Sequence, residues 1–107
     1  GAVTNSSQLT DEEHEINYTA DGAYLLFEAP GFNKTNLKVE IENGLLMIEG
    51  KRVYKLNNEE TQKTISKQFK IGDKYNSSLI EATIEDGLLT VFVPNYKKPE
   101  KKRISLL

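Results

Sequence analysis

The hexapeptide Ile41-Glu42-Asn43-Gly44-Leu45-Leu46 returns at residues 84–89 as Ile84-Glu85-Asp86-Gly87-Leu88-Leu89, each time between two runs of alternating polar and apolar residues. A two-residue hairpin of type I′ needs φ > 0 at both central positions, which Asn-Gly and Asp-Gly tolerate best. The arms are LKVEIE and LLMIEG around the first turn, and LIEATIE and LLTVFVP around the second. In the first arm Leu37, Val39 and Ile41 point one way while Lys38, Glu40 and Glu42 point the other, the pattern of a strand with one solvated face. The echo is one turn geometry used twice, not a duplicated site. It pins four strands, and no segment carries a sustained helical period.

The remaining segments read the same way. HEINY and AYLLFEAP are extended runs separated by the turn dipeptide Asp21-Gly22, and Pro30-Gly31 ends the second run. MIEGKRVYKL and TQKTISKQFKI flank the apex LNNEE, and in the outgoing arm Ile65, Lys67, Phe69 and Ile71 alternate with Thr64, Ser66, Gln68 and Lys70. A long twisted ribbon that protrudes from the body is expected there, followed by a loop over residues 71–78. Seven or eight short strands at regular spacing predict an all-β fold, an antiparallel β-sandwich. Residues 1–13 (GAVTNSSQLTDEE) read as a flexible arm, 14–94 as the sandwich domain and 95–107 as a C-terminal tether. The chain opens on Gly1-Ala2 without an initiator Met, as a trimmed N-terminus would.

Composition excludes several function classes. With 107 residues the chain is one domain, and a core of that size holds without disulfide or metal. No cysteine is present, so thiolate metal sites and a Cys nucleophile are ruled out, and a reducing, cytoplasmic setting is expected. No run reaches the length of a membrane span. The sequons at Asn5, Asn17, Asn33 and Asn76 read as accidents of an Asn-rich sequence. A formal charge of -2 with 28% charged residues describes a hydrated surface without a nucleic-acid-binding field. The basic block KKPEKKR at 97–103 is interrupted by Pro99 and Glu100 and lacks aromatic interleaving, so it reads as a solvated tail.

Nor does the chain carry enzyme chemistry. Its single histidine, His14, sits among Glu12, Glu13 and Glu15 without a second imidazole to complete a metal site. The 16 acidic residues fall on strand faces opposite the apolar positions, and the glycines fall singly at turns. No phosphate-cradling pattern occurs. Neither a catalytic residue, a metal ligand nor a cofactor is expected.

The C-terminus is more informative. Apolar residues usually avoid a fraying end, yet the chain runs from NYKKPEKKR into Ile104-Ser105-Leu106-Leu107. Ile104 and Leu106 lie two apart, so an extended backbone presents both on one face, behind a charged segment suited to a tether. The alternative is a last strand of the chain's own sheet, or plain fraying.

Together these residues resemble the small heat-shock proteins and their α-crystallin domain. The strongest match is the A-x-x-x-n-G-V-L signature, here Ala82-Thr83-Ile84-Glu85-Asp86-Gly87-Leu88-Leu89, with Leu88 where valine is usual. Pro30-Gly31 through LKVEIENGLLMIEGKR resembles the family's earlier hairpin, ISKQFKI its arginine-bearing strand, and I-S-L its I-x-I/V tail motif. The resemblance spans roughly residues 14–107. It implies an immunoglobulin-like sandwich that dimerises, builds oligomers and holds unfolding client proteins without ATP. The tail motif, Ile104 and Leu106, would dock between edge strands of a neighbour, in a groove involving Val39, Ile41, Leu79 and Thr83. Ile65, Lys67 and Phe69 would belong to a dimer ribbon.

Three departures from the family's pattern stand out. Only about a dozen residues separate GKR from ISKQF, too few for the swapped strand of many bacterial and plant members, so antiparallel ribbon pairing is the expected dimer mode. Lys67 replaces an arginine and loses its bidentate contacts. The apolar N-terminal arm of the family is not seen in residues 1–13. The competing readings are an adaptor co-chaperone with a related sandwich and a purely structural β-sandwich module.

Overall fold

A computed structural model describes residues 3–5, 14–97 and 101–107 of the chain. Eight strands follow in order: β1 (Val3–Asn5), β2 (His14–Thr19), β3 (Gly22–Glu28), β4 (Leu37–Glu42), β5 (Leu45–Leu56), β6 (Glu59–Ile71), β7 (Glu81–Glu85) and β8 (Leu88–Pro94). They form two antiparallel four-stranded sheets, β1-β6-β5-β4 and β2-β3-β8-β7. The fold is the expected all-β sandwich.

Local turn chemistry accounts for the hairpins. Asn43 and Gly44 take φ of 50° and 76°, and Asp86 and Gly87 take 49° and 77°, so the two hexapeptides share one type I′ apex. The long ribbon closes the same way at Asn57 and Asn58, with φ of 51° and 66°. Its arms pair continuously from Leu45↔Lys70 to Leu56↔Glu59. At about 3.4 Å per residue the ribbon is ~40 Å long. The β2–β3 corner differs by one residue from the sequence reading: Ala20 and Asp21 make the turn, and Gly22 already starts β3 opposite Pro94. The reason is close packing, since a Cβ on Gly22 would run into the Val93 carbonyl.

The core sits between the sheets where the alternating faces meet. Ala23, Leu25 and Phe27 of β3 and Leu89, Val91 and Val93 of β8 face Leu46 and Ile48 of β5 and Phe69 and Ile71 of β6, all buried. Each large side chain contributes about 1.5–3 kcal/mol by leaving water. Residues 71–78, expected as a loop, are pinned by buried Tyr75, which bridges to Asn95, and lead into a 3₁₀ turn at Ser77–Leu79 capped by the Asn76 side chain.

Of the expected N-terminal arm, Val3–Asn5 is placed as a strand against Phe69–Ile71 of β6. Residues 1–2 and 6–13 lie outside the described residues, as do 98–100 of the expected tether.

Candidate functional site

Each sheet ends in an edge strand on the same side of the sandwich: β4 in one sheet and β7 in the other. Between them runs a groove of about 360 Å³ lined by Lys34, Leu37, Val39, Ala82, Thr83, Ile84 and Leu89. Alternation explains the lining. Leu37 and Val39 lie on the inward face of β4, opposite Gly50 and Ile48, while Ala82 and Ile84 lie opposite Val91 and Leu89. Ala82, Thr83 and Val39 are short side chains, so the edges do not meet across the gap. The result is a mainly apolar trough with the ammonium of Lys34 among its lining residues, and an extended chain with two aliphatic side chains would fit its chemistry.

The groove unites part of the expected set. Val39 and Thr83 line it. Ile41 packs against the core as a half-buried residue, and Leu79 stands 60% exposed in the 3₁₀ turn ahead of β7; neither is among the lining residues. Leu37, Ile84, Ala82 and Leu89 were not named as groove residues from the sequence. Ala82 and Leu89 had a signal, because both belong to the signature around the Asp86-Gly87 turn. Gly87 holds that turn and accepts a 2.7 Å hydrogen bond from the Ala29 amide, and Leu88 is 40% exposed on the opposite face of β8.

The tail residues Lys101–Leu107 have no regular secondary structure and are exposed, Ile104 at 83% and Leu106 at 98%. Neither is tucked into its own sandwich.

The ribbon residues sit at its base. Phe69 is in the core, Ile65 is half-buried against it, and Lys67 is only 3% exposed. Among the described residues the Lys67 ammonium has no hydrogen-bond partner, and it lies 5.7 Å from the Phe27 ring centroid. Beside it Phe27, Phe69 and His14 form an aromatic cluster with ring centroids 5.4–5.7 Å apart. His14 is thus a half-buried residue packed by its ring against Phe27 and Phe69. Among the described residues no group of three or more acidic, His or Cys side chains could hold a metal.

Comparison with known proteins decides the family: its Hsp20/alpha crystallin family model matches residues 11–106. The chain belongs to the Hsp20/alpha crystallin family. A probable Hsp20 family chaperone of Onion yellows phytoplasma is 30% identical over 112 residues, covering 94% of this chain and 79% of the relative. The Arabidopsis thaliana 17.8 kDa class I heat shock protein is 31% identical over 108 residues, covering 91% and 68%. The soybean mitochondrial heat shock 22 kDa protein is 30% identical over 87 residues, and the chain spans 41% of its length. Among solved structures, heat shock protein 16.0 of Schizosaccharomyces pombe superposes with a TM-score of 0.71 at 25% identity, covering 96% of this chain and 88% of that one. Stress-induced protein 1 of Caenorhabditis elegans gives 0.70 at 22% identity over 87% and 97%, a likeness of fold. Small heat-shock proteins are ATP-independent chaperones, not enzymes, and as a family they form oligomers and bind unfolded clients.

Proposed function

We propose that this domain is a holdase: it binds unfolding proteins without ATP, prevents their aggregation, and assembles by docking Ile104 and Leu106 of one copy into the β4–β7 groove of another. The observation that carries the reading is the pairing of an open, mainly apolar groove with two largely exposed aliphatic side chains near the C-terminal end of the chain. Each docked aliphatic contributes about 1.5–3 kcal/mol, offset by the cost of ordering the tether. One tail is therefore weak and exchangeable, and several acting together hold an assembly. Changing Ile104 and Leu106 together to Gly should collapse larger species to dimers in sedimentation velocity; an unchanged mass distribution defeats the docking role.

The dimer in this reading forms along the open edge of β6. Strand β1 covers that edge only at Phe69–Ile71, which leaves Glu59–Gln68 without a strand neighbour on that side among the described residues. Two-fold antiparallel pairing sets one residue against itself. Centring on Lys63 opposes two ammonium groups, and centring on Ile65 opposes Lys63 to Lys67. Centring on Thr64 pairs Glu60 through Gln68 with no like charges opposed and stops short of β1. A Thr64→Cys variant should then form an intermolecular disulfide under mild oxidation, visible as a doubled mass on non-reducing gels, and Lys55→Cys near the apex should not.

The compartment is not fixed by the family, whose members here include one named mitochondrial; the cytoplasm remains the expectation from the absence of cysteine. Among the described residues no helix is long and apolar enough to cross a membrane.

A further inference from the structure

The outer face of the β2-β3-β8-β7 sheet has a composition that the core does not explain. Register places Tyr24 opposite Phe92, Leu26 opposite Thr90 and Glu28 opposite Leu88, all pointing away from the other sheet. Tyr24 and Phe92 stack with centroids 4.6 Å apart, and neither they nor Leu26 are fully buried. The apolar stripe continues at one end into a shallow depression with Pro94 and the 60%-exposed Tyr96, and reaches the exposed Leu88 at the other. Both flanks are acidic. Glu15 on β2 lies beside Leu26, Glu81 on β7 beside Phe92, and Glu85 beside Leu88. Asp21 borders the depression at one end, and Asp86 lies with Glu28 at the other.

No lysine or arginine occurs in β2, β3, β7 or β8, which carry Glu15, Glu28, Glu81 and Glu85; Lys97 borders the terminal depression. The other sheet is different, with Lys38, Lys51, Arg52, Lys55, Lys63, Lys67 and Lys70 on β4, β5 and β6. A half-exposed apolar band with Glu81 and Glu85 along one flank, Glu15 on the other and Glu28 at its end is complementary to one kind of occupant. We infer that this face holds extended client segments in which apolar residues alternate with lysine or arginine. The apolar side chains would lie on Tyr24, Leu26, Leu88 and Phe92, and the cations would reach Glu15, Glu28, Glu81 and Glu85. The inference rests on the holdase reading and names its client class. Because the carboxylates are exposed and salt screens such charges over about 8 Å at physiological strength, the preference should be strongest at low salt.

The test uses the full chain and two fluorescein-labelled peptides, one alternating Leu and Lys and one alternating Leu and Glu, followed by anisotropy at low and high salt. The Leu–Lys peptide should bind more tightly. In a Glu15→Gln, Glu28→Gln, Glu81→Gln, Glu85→Gln variant, shown folded by circular dichroism, its affinity should fall roughly tenfold, as four weak exposed pairs imply. Equal binding of both peptides overturns the inference, as does a preference that survives the four substitutions. So does loss of Leu–Lys binding on Ala82→Phe alone, which fills the β4–β7 groove from the inward face of β7 and would place the peptide there. A parallel light-scattering assay on a heated client tests the holdase reading separately: failure to slow aggregation defeats that reading, while the peptide result still decides the face.

Discussion

The two long sides of the sandwich are built from the same alternation and end differently. On one side β4 and β7 offer Val39, Ala82 and Thr83, and a groove remains between the sheets. On the other side β2 and β6 offer His14, Lys67 and Phe69, which close over Phe27 with rings in contact. Side-chain length at the facing edges decides whether a seam is sealed or receptive. The sealed side adds to the core, and the open side keeps a groove with apolar lining.

Breaking the sealed side should have the largest effect. Phe69→Ala removes a fully buried ring that touches both His14 and Phe27, and should cost about 3–5 kcal/mol in urea denaturation. Sealing the open side comes next. Ala82 is exposed at the groove, so Ala82→Phe should leave the single domain folded while filling the space for a tail. The expected loss is the docking contribution, about 1.5–3 kcal/mol per displaced aliphatic, read as a shift to smaller species in sedimentation with an unchanged melting curve. The smallest effect sharpens the sealed side. Lys67 is a buried ammonium without a hydrogen-bond partner among the described residues. Lys67→Met keeps its length and removes the desolvated charge, so the isolated domain should gain about 1 kcal/mol in urea midpoint experiments at low protein concentration. A loss instead would mean that the ammonium is satisfied in the folded chain.

The hairpins were legible because their information is local. Asn43-Gly44 and Asp86-Gly87 need only their own φ angles to declare a turn, and the alternating arms follow. Asp21-Gly22 was misplaced by one residue because its glycine serves close packing on Val93, a contact remote in sequence. The groove was only partly legible for the same reason. Period-2 alternation tells which face of a strand turns inward, but not where along the strand the opposite sheet stops. Val39 and Ile41 therefore look equivalent in sequence, yet only Val39 borders the gap. Lys67 and Phe69 likewise read as ribbon residues, although the ribbon's base runs deep between the sheets and buries them.

Strand β1 turns the edge of β6 into shared ground. It takes up Phe69, Lys70 and Ile71, and among the described residues no other strand pairs along the rest of that edge. Any lengthening of this pairing toward the apex would be subtracted residue for residue from the stretch open to a second copy. In the proposed dimer the reach of one short N-terminal strand would act as a ruler for self-association, and a peptide copied from it would be a competitor of that assembly rather than a bystander.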